Sequence, residues 1–173
     1  VFAEKLRNTE KYAELPESFY RAVIKAAPMH DLGKIAVDDA ILRKPGRFTD
    51  EEYEIMKKHS AEGARIVENV IREVDDEEFK KIAVNVAHYH HEKWDGSGYP
   101  ERLKGEQIPL EARIMALADV FDALVSKRCY KDSFSYDKAF QIMEESLGTH
   151  FDPELGKAFI GCRNELEALY NNY

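Results

Sequence analysis

No stretch of this chain alternates apolar and polar residues as a half-buried strand does, and almost every long segment repeats its apolar residues with helical period. Gly and Pro fall mainly between those segments and punctuate them. The pattern predicts helices from near Ser18 to Ala27, from a Thr49/Glu52 capping box to about Val70, and from about Asp76 to His91. Further helices are expected over Leu110 to Lys127 and from Ser135 or Tyr136 to Leu147, stopped by Gly148. A last one opens at Asp152-Pro153, an N-cap followed by an N1 proline. The run Asp75-Asp76-Glu77-Glu78 suits a helix start, where carboxylates favour the N-terminal dipole. Lys44-Pro45-Gly46 and Asp95-Gly96-Ser97-Gly98-Tyr99-Pro100 read as loops. With 173 residues the expectation is one all-α domain, a helical bundle with a single sizeable core.

Composition narrows the function classes. Lys plus Arg number 25 against 33 Asp plus Glu, a net charge of −8, which argues against a nucleic-acid polymer as partner. A small anionic ligand held by local cations stays compatible. Cys129 and Cys162 build neither a disulfide framework nor a CxxC motif, which suits a reducing, cytoplasmic setting. No apolar run approaches the roughly 18 residues of a membrane helix. The chain begins at Val1 without Met, so an upstream portion is expected.

The chemistry concentrates in His30-Asp31, His59, His90-His91 and Asp119. On the helix after Thr49, Ile55, His59, Gly63, Ile66, Val67 and Val70 fall on one stripe, so His59 is expected to face inward. His90 continues the stripe Ile82, Ala83, Val86, Ala87, and His91 extends it from Ala87. Asp119 sits between Ala118 and Val120, four residues after Met115 and four before Ala123. An unpaired carboxylate in such surroundings costs at least several kcal/mol. A lone histidine on such a face is more often a packed core residue, and His88 and His150 stay in that class; Asp122 suits a cap or a surface position equally. Several His and Asp facing inward from different helices offset these costs together by holding divalent cations. Imidazole and carboxylate without thiolate suit iron, manganese or zinc. An Asp beside a ligating His can bridge two metals, and paired metals serve phosphoester hydrolysis.

His30-Asp31-Leu32-Gly33-Lys34-Ile35, Lys44-Pro45-Gly46 and the string from His90 through Glu92 and Trp94 to Gly98-Tyr99-Pro100 resemble the HD-GYP domain family. So do Ile108-Pro109, Ala112-Arg113-Ile114, Ala118 to Leu124, and Phe151-Asp152-Pro153. The resemblance covers roughly Ala26 to Phe159. It implies an HD-type helical fold over residues 1–173 and a centre of two or three divalent metals, commonly iron or manganese, with zinc or nickel as occupants in a purified sample. It implies hydrolysis of cyclic di-GMP to pGpG or GMP by a metal-bridging hydroxide. By matching position, the metal ligands are His30, Asp31, His59, His90, His91 and Asp119, with Asp31 as bridge. Lys34 resembles the residue at the scissile phosphate, and Gly98, Tyr99 and Pro100 the loop that names the family. Arg128 and Lys131 resemble phosphate-holding positions, though they fit a solvated helix end equally. Trp94 and Tyr99 either stack on guanine or pack under their loop.

Two departures stand out. The family has a further His, often with a Glu one turn earlier, upstream of the HD pair, and nothing from Val1 to Lys25 supplies a His. A domain lacking its N-terminal part, or one weakened in one metal site, is implied. Val37-Asp38-Asp39 replaces the commoner Ile-Pro-Asp turn. The alternatives are an inactive cyclic-dinucleotide-binding or protein-interaction module, or hydrolysis of another cyclic dinucleotide such as cyclic GMP-AMP. Sensory or receiver domains in the same protein are the implied partners, and a homodimer is compatible.

Overall fold

The computed structural model describes residues 1–126 and 133–172, and among them the fold is helical, with Leu147 and Phe151 forming an isolated bridge. The longer helices are α2 (Glu17–Ala26), α4 (Asp50–Val70), α5 (Glu77–Tyr89), α6 (Leu110–Val125), α7 (Tyr136–Glu145) and α8 (Pro153–Ile160). Shorter pieces are α1 (Phe2–Leu6) and α3 (Asp39–Leu42), and α9 (Arg163–Asn171) is the last helix among the described residues. Short 3₁₀ turns cover Ala27–Met29, Leu32–Ala36 and Gly105–Gln107.

The helix starts follow the predicted side-chain chemistry. Thr49 accepts the Glu52 N–H while the Glu52 carboxylate accepts the Thr49 N–H, a complete capping box. Asp76 accepts the Phe79 N–H at 2.9 Å, and Asp152 accepts those of Glu154 and Leu155. The predicted stops run slightly long: α5 ends at Tyr89, with His90 as its C-cap, and α7 ends at Glu145. α1 was not expected, because five residues are too short for a period to show; it is held by Phe2, Ala3 and Leu6 in the core.

α5 packs between α4 and α2 and reaches α6, which carries the chain to α7 and α8. Ile82, Ala83, Val86 and Ala87 of α5 are buried there with Val67 of α4, Val23 of α2 and Leu117 of α6. A second focus of the core is aromatic. Phe121 lies 4.9 Å from Phe140 and 5.4 Å from Phe159, and Phe2 lies 4.9 Å from Phe159 (ring centroids). Arg113 of α6 pairs with the N-cap Asp152 of α8 at 2.7 Å, both side chains nearly withdrawn from solvent.

The turn over Leu32–Ala36 lies directly against α4. A Cβ on Gly33 would stand 1.8 Å from the His59 carbonyl oxygen and 2.5 Å from the Gly63 nitrogen. Only glycine at position 33 permits this approach of two backbones, and it brings the His30-Asp31 turn beside His59. The buried face of α4 is rotated from the predicted stripe: Met56, His59, Ser60, Gly63, Ala64 and Val67 face inward, whereas Ile55 is 39% and Val70 68% exposed. His59 is buried on either reading. Val70 stands at the C-terminal end of the helix and Ile55 in its second turn.

Candidate metal centre

The six predicted ligands come from four segments, the His30-Asp31 turn, α4, the end of α5 and α6, and their side chains lie close together. His30 follows the 3₁₀ turn Ala27–Met29, and its Nδ1 bonds the Ala27 carbonyl at 2.7 Å. His59 Nδ1 bonds the Met56 carbonyl at 2.6 Å from within α4. His90 Nδ1 lies 2.9 and 3.1 Å from the Val86 and Ala87 carbonyls, which the end of α5 leaves without helical partners. In His59 and His90 the bonded Nδ1 is the N–H, so Nε2 carries the lone pair, whereas His30 donates from Nδ1 and directs Nε2 at the Asp31 and Asp119 carboxylates.

His59 Nε2 and His91 Nε2 stand 3.1 Å apart. Among the described residues, the buried His90 Nε2 has no hydrogen-bond partner. The ligand atoms of His59, His90 and His91 lie within 4.8 Å of one another, and the three rings are a group able to hold a metal ion. The buried His90 Nε2 lone pair is an orphaned acceptor that a cation satisfies.

Asp31 lies at the junction. Its Oδ1 is 3.8 Å from His59 Nε2 and 3.9 Å from His90 Nε2, and its Oδ2 is 3.3 Å from His30 Nε2. His30 Nε2 also lies 3.5 Å from Asp119 Oδ1 on α6. Lys34, one 3₁₀ turn after Asp31, donates to Asp31 Oδ2 at 2.5 Å.

The loop after α5 closes one flank. A Cβ on Gly98 would meet Lys93 N at 2.4 Å and His91 O at 2.5 Å, so this glycine lies against the preceding backbone. Tyr99 then stacks on His91, centroids 4.8 Å apart at 27°, and donates its N–H to the His91 carbonyl. Pro100 follows in the loop. Trp94 packs against Arg113 instead, the guanidinium 5.8 Å from the ring.

This arrangement has relatives. Residues 3–155 match the HD domain family. The chain belongs to that family. The HD domain is 45% identical over 170 residues to a cyclic di-GMP phosphodiesterase of Vibrio cholerae, covering 98% of this chain and 35% of that protein. It is 44% identical over 155 residues to a 3'3'-cGAMP-specific phosphodiesterase of the same organism, covering 90% and 29%. The crystal structure of a cyclic GMP-AMP specific phosphodiesterase from V. cholerae shares the fold, with a TM-score of 0.61 at 21% identity over 96% of this chain and 42% of that one. The chain therefore spans about a third of the length of the curated relatives it matches.

Electrostatics divide the HD domain's site. Burial pushes His59, His90 and His91 down, His90 to about 4, so all three are neutral at pH 7. Burial also disfavours charge on His30, but the Asp119 and Asp31 carboxylates override it and push His30 up to about 10. Burial would raise Asp31, yet His30 and Lys34 hold it well below the usual carboxylate range. His30 does the same for Asp119.

Several residues fall elsewhere. Arg128 and Lys131 lie outside the described residues. His88 pairs with Glu101 at 3.1 Å, away from the cluster, and His150 stacks on Phe151. Asp122 accepts from Ser126 and from Tyr170 of α9, and so ties the C-terminal helix down. Sequence reasoning missed Tyr53 and Lys57 of α4. The Lys57 ammonium lies 5.3 Å from the Tyr53 ring and 5.9 Å from the Tyr99 ring. Their i, i+4 spacing two residues before His59 was the available signal. No helix among the described residues is long and apolar enough to cross a membrane.

Proposed function

We propose that this chain is the HD-GYP-type catalytic domain of a longer protein and that it hydrolyses a phosphodiester of cyclic di-GMP. The observation that carries the reading is the convergence of His30, Asp31, His59, His90, His91 and Asp119 around the unpartnered His90 Nε2. These residues suit two or three divalent ions, iron or manganese by donor type. His59, His90 and His91 would hold one ion and His30 and Asp119 would serve a second, with the Asp31 carboxylate within reach of both groups of side chains. Bound ions supply Lewis acidity, lowering the pKa of water and neutralising charge on a phosphoryl oxygen.

The residues of the chain do the rest. The main-chain carbonyls fix the direction of three rings, so His59 and His90 keep their tautomers when an ion enters. Burial keeps the His59, His90 and His91 imidazoles neutral and ready to bind. Lys34, drawn to Asp31 here, reaches the phosphate and stabilises charge that develops on it. Tyr99 walls the His91 side against water. Arg128 and Lys131 hold the substrate's phosphates. Together with the ions they provide the local positive field that a net charge of −8 denies the surface as a whole.

The second reading keeps the chemistry and changes the base: similarity to a 3'3'-cGAMP-specific relative is within one percentage point of that to the cyclic di-GMP enzyme. Sensory or receiver domains are the proposed neighbours in the whole protein. The test is turnover of cyclic di-GMP and 3'3'-cGAMP, side by side, by manganese- or iron-loaded protein purified anaerobically. Asp31→Ala is expected to lower turnover roughly a thousandfold or more, the scale seen when one member of a concerted site is removed. Equal turnover by Asp31→Ala overturns the bridge, and faster turnover of 3'3'-cGAMP transfers the assignment to that substrate.

A further inference from the structure

His91 differs from the other imidazoles of the cluster. His30, His59 and His90 each anchor Nδ1 on a main-chain carbonyl, whereas the hydrogen bond of His91 among the described residues is its Nε2 contact with His59. Something else must orient that ring. It lies flat against Tyr99, and Tyr99 sits in a loop with no regular secondary structure to stiffen it.

The loop is tied by Glu92. This carboxylate is 2% exposed. Its Oε1 accepts the Glu101 N–H at 2.7 Å and its Oε2 accepts the Leu103 N–H at 3.0 Å. The Arg102 amide also favours its charged form, against the burial that opposes it. Among the described residues its hydrogen-bond partners are main-chain amides, not a Lys or Arg side chain. Arg102, held between the two bonded amides, adopts a left-handed φ of 57°. The carboxylate thus joins the far arm of the loop to the residue after His91. Gly98 and the Tyr99 N–H join the middle of the loop to the His91 carbonyl. The closed circuit leaves Tyr99 one place to stand.

We propose that Glu92 is the positioning residue for His91: it clamps residues 101–103 so that Tyr99 holds the His91 ring, as main-chain carbonyls hold the other three. The proposal rests on the metal-centre reading above. Outer partners of metal-bound histidines typically change metal affinity 10–100-fold.

Glu92→Gln keeps the size of the side chain but turns an NH₂ toward a backbone N–H. Cobalt(II) is titrated into the apoprotein and followed by its visible absorption, and acrylamide quenching is followed on Trp94, the single tryptophan of the chain. Glu92→Gln is expected to bind Co²⁺ about tenfold more weakly or worse, with an altered visible spectrum and a more quenchable Trp94. Tyr99→Ala is expected to do the same to the metal, and the double variant no more than Tyr99→Ala alone, because Glu92 acts through Tyr99. Phe159→Leu, a core change far from the loop, is expected to lower Tm and leave Co²⁺ affinity intact. Unchanged Co²⁺ affinity in folded Glu92→Gln overturns the proposal, as do independent losses that add in the double variant. If Glu92→Gln does not fold, amide exchange in the wild type decides: protection of the Glu101 and Leu103 amides comparable to that of helix amides supports the clamp, and rapid exchange overturns it. A wild type that binds no Co²⁺ sinks the metal-centre reading instead, and amide exchange with Trp94 quenching then decides the clamp.

Discussion

The two halves of the site solve the burial of polar groups in opposite ways. The half built from His59, His90 and His91 is neutral, largely buried and short of donors. The half built from His30, Asp31 and Asp119 is charged, and it balances itself through the His30 proton and the Lys34 ammonium. A cation arriving at the first displaces only the His59–His91 contact; the second must give up a proton from His30. A single donor set therefore contains a preformed pocket and a self-compensated one, joined by the Asp31 carboxylate.

The largest expected contrast comes from removing one ring from each half. His90→Leu is expected to weaken metal binding at least a hundredfold by calorimetric titration, yet to cost the apoprotein only about 1 kcal/mol, since removing the unpartnered Nε2 offsets part of the loss of the Nδ1 bonds to the Val86 and Ala87 carbonyls. His30→Ala is expected to destabilise the apoprotein by about 3 kcal/mol in urea melts, because Asp31 and Asp119 lose their shared cation in a partly buried setting. Equal apoprotein stabilities for the two variants would erase the distinction.

The clustering of the six predicted positions was legible because the sequence places polar residues on helix faces that geometry makes apolar, and because the HD pair and the HHE…DGSGYP string are specific. The rotation of the α4 face was not legible. Ile55 and Val70 satisfy the period as well as Met56 and Ala64 do, and only the neighbours decide which side is covered. Glu92 was passed over since its partners are main-chain amides, which leave no mark in a sequence. α1 escaped because its burial depends on Phe159, far along the chain.

Next in size is Gly33→Ala, which pushes a methyl group into the α4 backbone where the halves meet. It is expected to cost about 3 kcal/mol or more by chemical denaturation, at the upper end of ordinary overpacking. A loss below about 1 kcal/mol would show that the turn can move away from α4.

The pH response of the apoprotein separates the halves again. The folded pKa of His90 and of His150 is about 4, below the ordinary 6.5, so their contribution is present above pH 6.5 and lost as pH falls toward 4. His30 has the opposite sign: raised to about 10, its contribution is full below pH 6.5 and lost as pH rises through 10. Tm of the apoprotein is expected to fall on both sides. His30→Gln should flatten the alkaline arm alone, and a variant that flattens neither arm would contradict the assignment.

The smallest effect is expected outside the site. Thr49→Ala removes one bond of the α4 capping box and should lower stability by about 1 kcal/mol in thermal melts, leaving metal affinity unchanged. Any loss of affinity there would mean that the start of α4 governs where His59 stands.

The carbonyls of Ala27, Met56, Val86 and Ala87 that aim three of the rings belong to the peptide chain itself. No side-chain replacement can delete them, so drift or engineering has little purchase on the direction of those nitrogens. Retuning which ion this cradle prefers must instead pass through its adjustable members: the two aspartates, and the one histidine whose bearing depends on a neighbouring tyrosine.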